Sequence, residues 1–189
     1  SKINKILHIT KKNKEINVVT VNRSTRKESL IFSILYEIHL IITFVLTFKY
    51  IRFGNYSYLS DKALKSISKK NELWLAYSAS LEKYFKNKKI IIAERKKRFM
   101  GKSKMNYWQL LIHSIKIHSV FLKRIFFNYI LYSSLIIFIA KIKVINFISP
   151  LFFTLMFIHI LLLIYVNYFS SNTKFYNSLK NIKSIDLIK

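Results

Sequence analysis

The sequence predicts an all-α integral membrane protein, with three transmembrane helices and a basic amphipathic helical hairpin between the first and the second. Three observations predict it. The chain of 189 residues is 52% hydrophobic yet carries a formal charge of +25, from 33 Lys and Arg against 8 Asp and Glu. The apolar residues gather in long runs that the basic residues bound. Gly and Pro are scarce, at 2 and 1, so little interrupts those runs. The same numbers exclude several classes. The hydrophobic fraction is too high for a disordered basic tail. With no Cys there is no disulfide framework, Cys-based zinc site or iron–sulfur cluster. Two glycines, Gly54 and Gly101, cannot build a Gly-rich phosphate loop or a dinucleotide fingerprint.

Residues 1–29 read as a basic N-terminal segment with at most one short strand, where apolar and polar residues alternate from Ile16 to Val21. A cleaved signal peptide is a poor reading, since the first apolar run begins only at Leu30 and no small-residue cleavage site follows it. The first transmembrane helix is placed at residues 30–48, where Glu37 is the only formal charge. A bilayer core of about 30 Å needs ~20 helical residues, so this run is long enough. Ser29 would cap it, and Lys49 and Arg52 would end it with side chains that snorkel to the interface.

Residues 49–120 are expected to form the basic hairpin. Gly54 to Leu59 reads as a loop and Ser60-Asp61 as a helix start. Leu64, Ile67, Trp74, Tyr77, Leu81, Tyr84 and Phe85 recur at helical spacing, predicting one amphipathic helix to about Arg98. A turn at Gly101-Lys102-Ser103 leads to a second helix, with Tyr107, Trp108, Leu111, Ile115 and Leu122 on one side. The second transmembrane helix is placed at 121–140, with Lys123 and Arg124 snorkelling. The third is placed at 150–169, a run without formal charge opened by Ser149 and by Pro150, which suits a first helical position. Residues 170–189 read as a polar C-terminal tail. Three crossings would put residues 1–29 and the 141–149 loop on one side. The 49–124 segment and the tail, with most of the 33 basic residues, would lie on the other, cytoplasmic or matrix, side.

Among the five histidines, His39 and His159 each lie ten residues beyond a predicted cap, ~15 Å deep at 1.5 Å per residue. Two imidazoles at matched depth could hold a haem b, although interhelical hydrogen bonding is the commoner use of such a histidine. Glu37 reads as packing glue or a proton carrier. His113 and His118 are five apart, the wrong spacing for a shared metal on a helix, and read as surface or interface residues. Lys49, Arg52, Lys116, Lys123 and Arg124 are candidates for contact with anionic lipid such as cardiolipin. The basic runs 86–89 and 95–98 carry enough charge for nucleic acid, yet beside a membrane anchor lipid contact is the leading reading, without nucleic acid as a partner. The acids are too dispersed for a catalytic constellation, so the expectation is a protein without enzymatic activity of its own.

Residues with AT-rich codons (Phe, Tyr, Ile, Asn, Lys) dominate, and those with GC-rich codons are rare. In this bias, in its multiple apolar runs, in its lack of Cys and in its basic loops, the chain resembles the membrane proteins encoded in ciliate-type mitochondrial genomes. That resemblance implies a multi-pass inner-membrane protein with its hairpin and C-terminus in the matrix. It also implies an accessory subunit of a respiratory complex or ATP synthase, held against other membrane subunits. The alternatives are a haem-bearing anchor of the succinate-dehydrogenase kind and a membrane-tethered mitoribosomal or RNA-binding protein.

Overall fold

The computed structural model describes residues 6, 16–23, 30–93, 106–139 and 145–180. The expected run of helices is there, and so is a small sheet. In chain order the elements are β1 (Val18–Arg23), α1 (Leu30–Thr47), β2 (Phe53–Leu59), α2 (Asp61–Ile67), a 3-10 turn (Asn71–Trp74), α3 (Tyr77–Tyr84), β3 (Lys89–Ala93), α4 (Tyr107–Val120), α5 (Leu122–Ile139) and α6 (Ile145–Lys180). Among the described residues, three helices are long and apolar enough to cross a membrane: Leu30–Thr47, Leu122–Ile139 and Ser149–Phe169. The described residues are thus mostly helical, with three candidate spanning helices and one three-stranded sheet.

The sheet corrects the all-α expectation. Its order is β2-β1-β3, with β1 antiparallel to β2 and parallel to β3. Val19 and Val21 pack with Ile6 and Ile91 on one face, while Val18 joins the larger core. Of the two added strands, β2 occupies the stretch read as a loop, and β3 the Ile90-Ile91-Ile92 run read as helix. A β-branched triplet fits a strand better than a helix, and pairing with β1 decides the matter. The expected helix from Ser60 is cut into α2, the 3-10 turn and α3. Its end near Arg98 and the turn at residues 101–103 lie outside the described residues. Ser60 does cap α2, accepting a hydrogen bond from the Ala63 amide. Ile67 and Leu81 are buried as the spacing required, but Leu64 is exposed.

In place of a projecting hairpin, α4 packs into the bundle. Asn106 and Gln109 form a reciprocal capping box at its start. The buried face carries Leu110, Ile117, His118 and Val120, whereas the expected stripe of Tyr107, Trp108 and Leu111 is exposed. A break at Phe121 separates α4 from α5, and the two otherwise run on. Helix α1 lies parallel to α4, with Phe32 beside Tyr107, His39 beside Ser114 and Thr43 beside His118. Helix α6 is antiparallel to both, pairing Asn167 with Ser119 and Met156 with Ser133. It begins at Ile145, ahead of the expected start, so Pro150 is inside the helix. It also runs on to Lys180, through a stretch read as tail.

The end of α1 is unusual. A helix leaves its last carbonyls without intrahelical partners. Here Arg124 Nη1 donates to the Thr47 carbonyl (3.1 Å), Asn128 Nδ2 to that of Leu46 (2.8 Å) and Tyr132 Oη to that of Val45 (2.5 Å). The helix terminates on Phe48 with φ 51°. A side chain in this left-handed region costs roughly 1–2 kcal/mol, and glycine is the usual occupant. A chain with 2 glycines places Phe there instead.

Asn22 is paired with Phe53, and Val18 with Leu59, so the segments flanking α1 meet in one sheet. Arg52 folds back to Glu37 in the middle of α1, its Nη2 donating to both carboxylate oxygens at 2.8 and 2.9 Å.

Candidate functional site

The polar groups of the bundle interior converge on three histidines. His39 on α1 and His118 on α4 are buried, as are Thr43 and Tyr129; Ser114 and His159 are half-buried. Ser114 Oγ lies 2.8 Å from His39 Nδ1, and Thr43 Oγ1 lies 3.3 Å from the same nitrogen. Thr43 Oγ1 is 3.0 Å from His118 Nε2. His118 Nδ1 is 3.3 Å from His159 Nε2, and His159 Nδ1 is 2.7 Å from the Tyr129 hydroxyl. The result is an unbroken hydrogen-bonded chain, Ser114–His39–Thr43–His118–His159–Tyr129, drawn from all four long helices.

Helix geometry assembles it. His39 and Thr43 are four apart and share a face of α1, as Ser114 and His118 do on α4. The parallel course of these two helices keeps the pairs level. His159 comes from the antiparallel α6, and Tyr129 reaches it from α5. Every buried polar group needs a partner in a medium without water, and each member of this chain supplies one to the next. A cavity of about 200 Å³ between α5 and α6, lined by Tyr129, Ser133, Ser134, Met156 and Ile160 among others, adjoins the Tyr129 end.

Of the residues singled out from sequence, His39 and His159 belong to one network, but not as the two sides of a haem. A haem held by both needs the rings to face each other across a flat slot. The His118 ring fills that interval, its centroid 6.0 Å from that of His39 and 5.3 Å from that of His159. The residues present do not fit the group. His118, read as a surface or interface residue, is buried at the centre of the network. Its spacing from His39 and His159 carries no signal, because only the packing of α4 against α1 and α6 brings them together. Among the described residues no group of three or more His, Asp or Glu is arranged to hold a metal ion.

The basic candidates divide. Arg52 is bound to Glu37, Lys49 lies 3.7 Å from Glu82, and Arg124 caps α1. Lys123 is exposed and Lys116 half-buried. Glu37 is paired with Arg52 on the surface, away from the histidines. In the 86–89 run, Lys88 is held at 2.5 Å by the buried Glu82; the 95–98 run lies outside the described residues. Beyond the bundle, Glu72 accepts from Lys83 Nζ (2.8 Å) and Tyr84 Oη (2.9 Å). Burial alone would raise the Glu72 carboxyl, but these hydrogen bonds and one from the backbone outweigh it and hold the group below its ordinary value. Burial, and then the neighbouring Glu72, push Tyr84 up to about 12.

Comparison with protein-family models, curated proteins and solved structures finds no match to this chain.

Proposed function

We propose that this protein is a non-catalytic membrane subunit of a larger complex, one of oxidative phosphorylation in the mitochondrial inner membrane, more in keeping with the respiratory chain than with ATP synthase. The observation that carries the reading is the apolar skin of the bundle. Within the Ser149–Phe169 window only 6% of the residues are buried inside the chain, and in Leu122–Ile139 only 17%. Leu151, Leu155, Phe157, Phe127 and Phe138 are among the large side chains left at least half exposed. A contiguous surface of this kind exceeds what a water-soluble monomer tolerates and needs lipid or partner subunits to cover it. The basic excess supports acidic partner surfaces and anionic lipid as the remaining cover, with Lys123 the clearest lipid candidate. The composition supports the mitochondrial setting.

In this reading α5 and α6 cross as a hairpin, and α1 packs against them with both of its ends tied to the sheet's side. The sheet supports that path: the link 24–29 reaches at most ~25 Å. To bridge the two ends of a spanning α1 it would draw Arg26, Lys27 and Glu28 through hydrocarbon. Each of those charges costs about 3 kcal/mol at the centre. Native electrophoresis of gently solubilised membranes with mass spectrometry tests the function. Migration with respiratory-complex subunits is expected. Migration alone, or with ribosomal proteins, overturns the proposal.

A further inference from the structure

We infer that the His39–Thr43–His118–His159–Tyr129 chain is a proton relay, leading from the sheet's side of the protein to the middle of the α5–α6 hairpin; its direction rests on the membrane path proposed above. The chain has the two properties a relay requires. First, it is continuous, with every link between 2.7 and 3.3 Å. Second, it can be satisfied in either of two opposite polarities with every imidazole neutral. In one, the Tyr129 hydroxyl donates to His159 Nδ1, His159 Nε2–H to His118 Nδ1, His118 Nε2–H to Thr43 Oγ1, and the Thr43 hydroxyl to His39 Nδ1. In the other, each of these bonds is reversed. A neutral imidazole donates from one nitrogen and accepts at the other, and a hydroxyl does both, so neither polarity leaves a donor facing a donor.

A proton taken up at His39 Nε2 converts the second polarity into the first. His39 gives its Nδ1 proton to Thr43 Oγ1, and Thr43 gives its own to His118 Nε2. His118 passes its Nδ1 proton to His159 Nε2, and His159 passes its Nδ1 proton to the Tyr129 oxygen. The phenol then releases the proton it first carried towards the cavity. One proton enters and one leaves, and rotation of the hydroxyls with tautomer exchange in the rings restores the start. The receiving group would be a base presented at the cavity, where Tyr129 stands beside Ser133 and Ser134. The other titratable groups on the participating helices are Tyr36 and Glu37 on α1, Tyr107, His113 and Lys116 on α4, Lys123, Arg124 and Tyr132 on α5, and Tyr165, Tyr168, Lys174, Tyr176 and Lys180 on α6.

A purely structural network would use the same bonds, so the test must move the two roles apart. The full chain, labelled with 15N-histidine in vesicles containing anionic lipid, is transferred to D2O, and deuterium uptake at each ring N–H is followed by NMR. The relay predicts rapid uptake at His118 and His159 despite their burial. Thr43→Val should slow both at least tenfold, Thr43→Ser should restore them, and His113, outside the relay, should not change. Loosening of structural glue predicts the opposite sign, faster uptake in Thr43→Val. Unchanged or faster uptake there overturns the relay. If Thr43→Val does not fold, His39→Gln interrupts the preceding link and must give the same slowing. Slowing by Tyr129→Phe but not by Thr43→Val shows access from the cavity side and overturns the direction stated here. Sidedness of the sheet is read separately, by the cross-link described below, so failure of the relay and failure of the membrane path are distinguishable.

Discussion

Thr20 stands in the central strand with its hydroxyl fully buried and without a hydrogen-bond partner among the described residues. A hydroxyl in that position forfeits its water and gains nothing in return. Thr20→Val, of similar shape and equally suited to a strand, is therefore expected to stabilise the protein by about 1 kcal/mol, read as a rise in the midpoint of denaturant unfolding in detergent. Glu72 offers a pH-dependent counterpart. Its folded-state affinity for protons is lower than in the unfolded chain, so its contribution is present above the ordinary carboxylate value of 4.5 and is lost as pH falls through the folded value. Wild type should exceed Glu72→Gln in stability at pH 6, with the gap narrowing as pH falls below 4.5. Tyr84 acts at the other end: raised to about 12, it favours the folded state below pH 10 and loses that contribution as pH climbs between the two.

At the scale of elements, the sidedness of α1 is directly testable because the chain has no Cys to interfere. Thr20 and Ser57 are cross-strand partners, so a Thr20→Cys/Ser57→Cys variant should form an intramolecular disulfide on mild oxidation of intact membranes, seen as a faster band on non-reducing gels. Absence of the cross-link would restore the expectation of opposite sides. The apolar runs behind α1, α5 and α6 were legible in the sequence because a long run without charges has few other folds available. The sheet was legible only in its first strand. Tyr56 and Tyr58 in β2 look like loop aromatics until β1 pairs with them, and Ile90 to Ile92 fit a helical count until β3 is drawn alongside. The same limit governs the site. His39 and His159 stand out because each interrupts an apolar run. His118 sits in a mixed stretch with Lys116 and Ser119, and its importance arises from a contact 75 residues away with Thr43.

The whole molecule combines an apolar bundle with a basic, partly β-structured flank. Washing membranes at high pH, which strips peripheral proteins held by charge, should leave the chain in the pellet, since the apolar skin and not the +25 charge retains it. Recovery in the supernatant would contradict membrane embedding. The capping of α1 by Arg124, Asn128 and Tyr132 has a further consequence, for biosynthesis. The first apolar helix leaves the ribosome long before the helix that completes its end has been made. Until α5 emerges, three bare carbonyls and a strained Phe48 would have to be shielded by the insertion machinery. Nascent chains stalled before Arg124 should therefore stay cross-linkable to that machinery, and release should coincide with synthesis of α5.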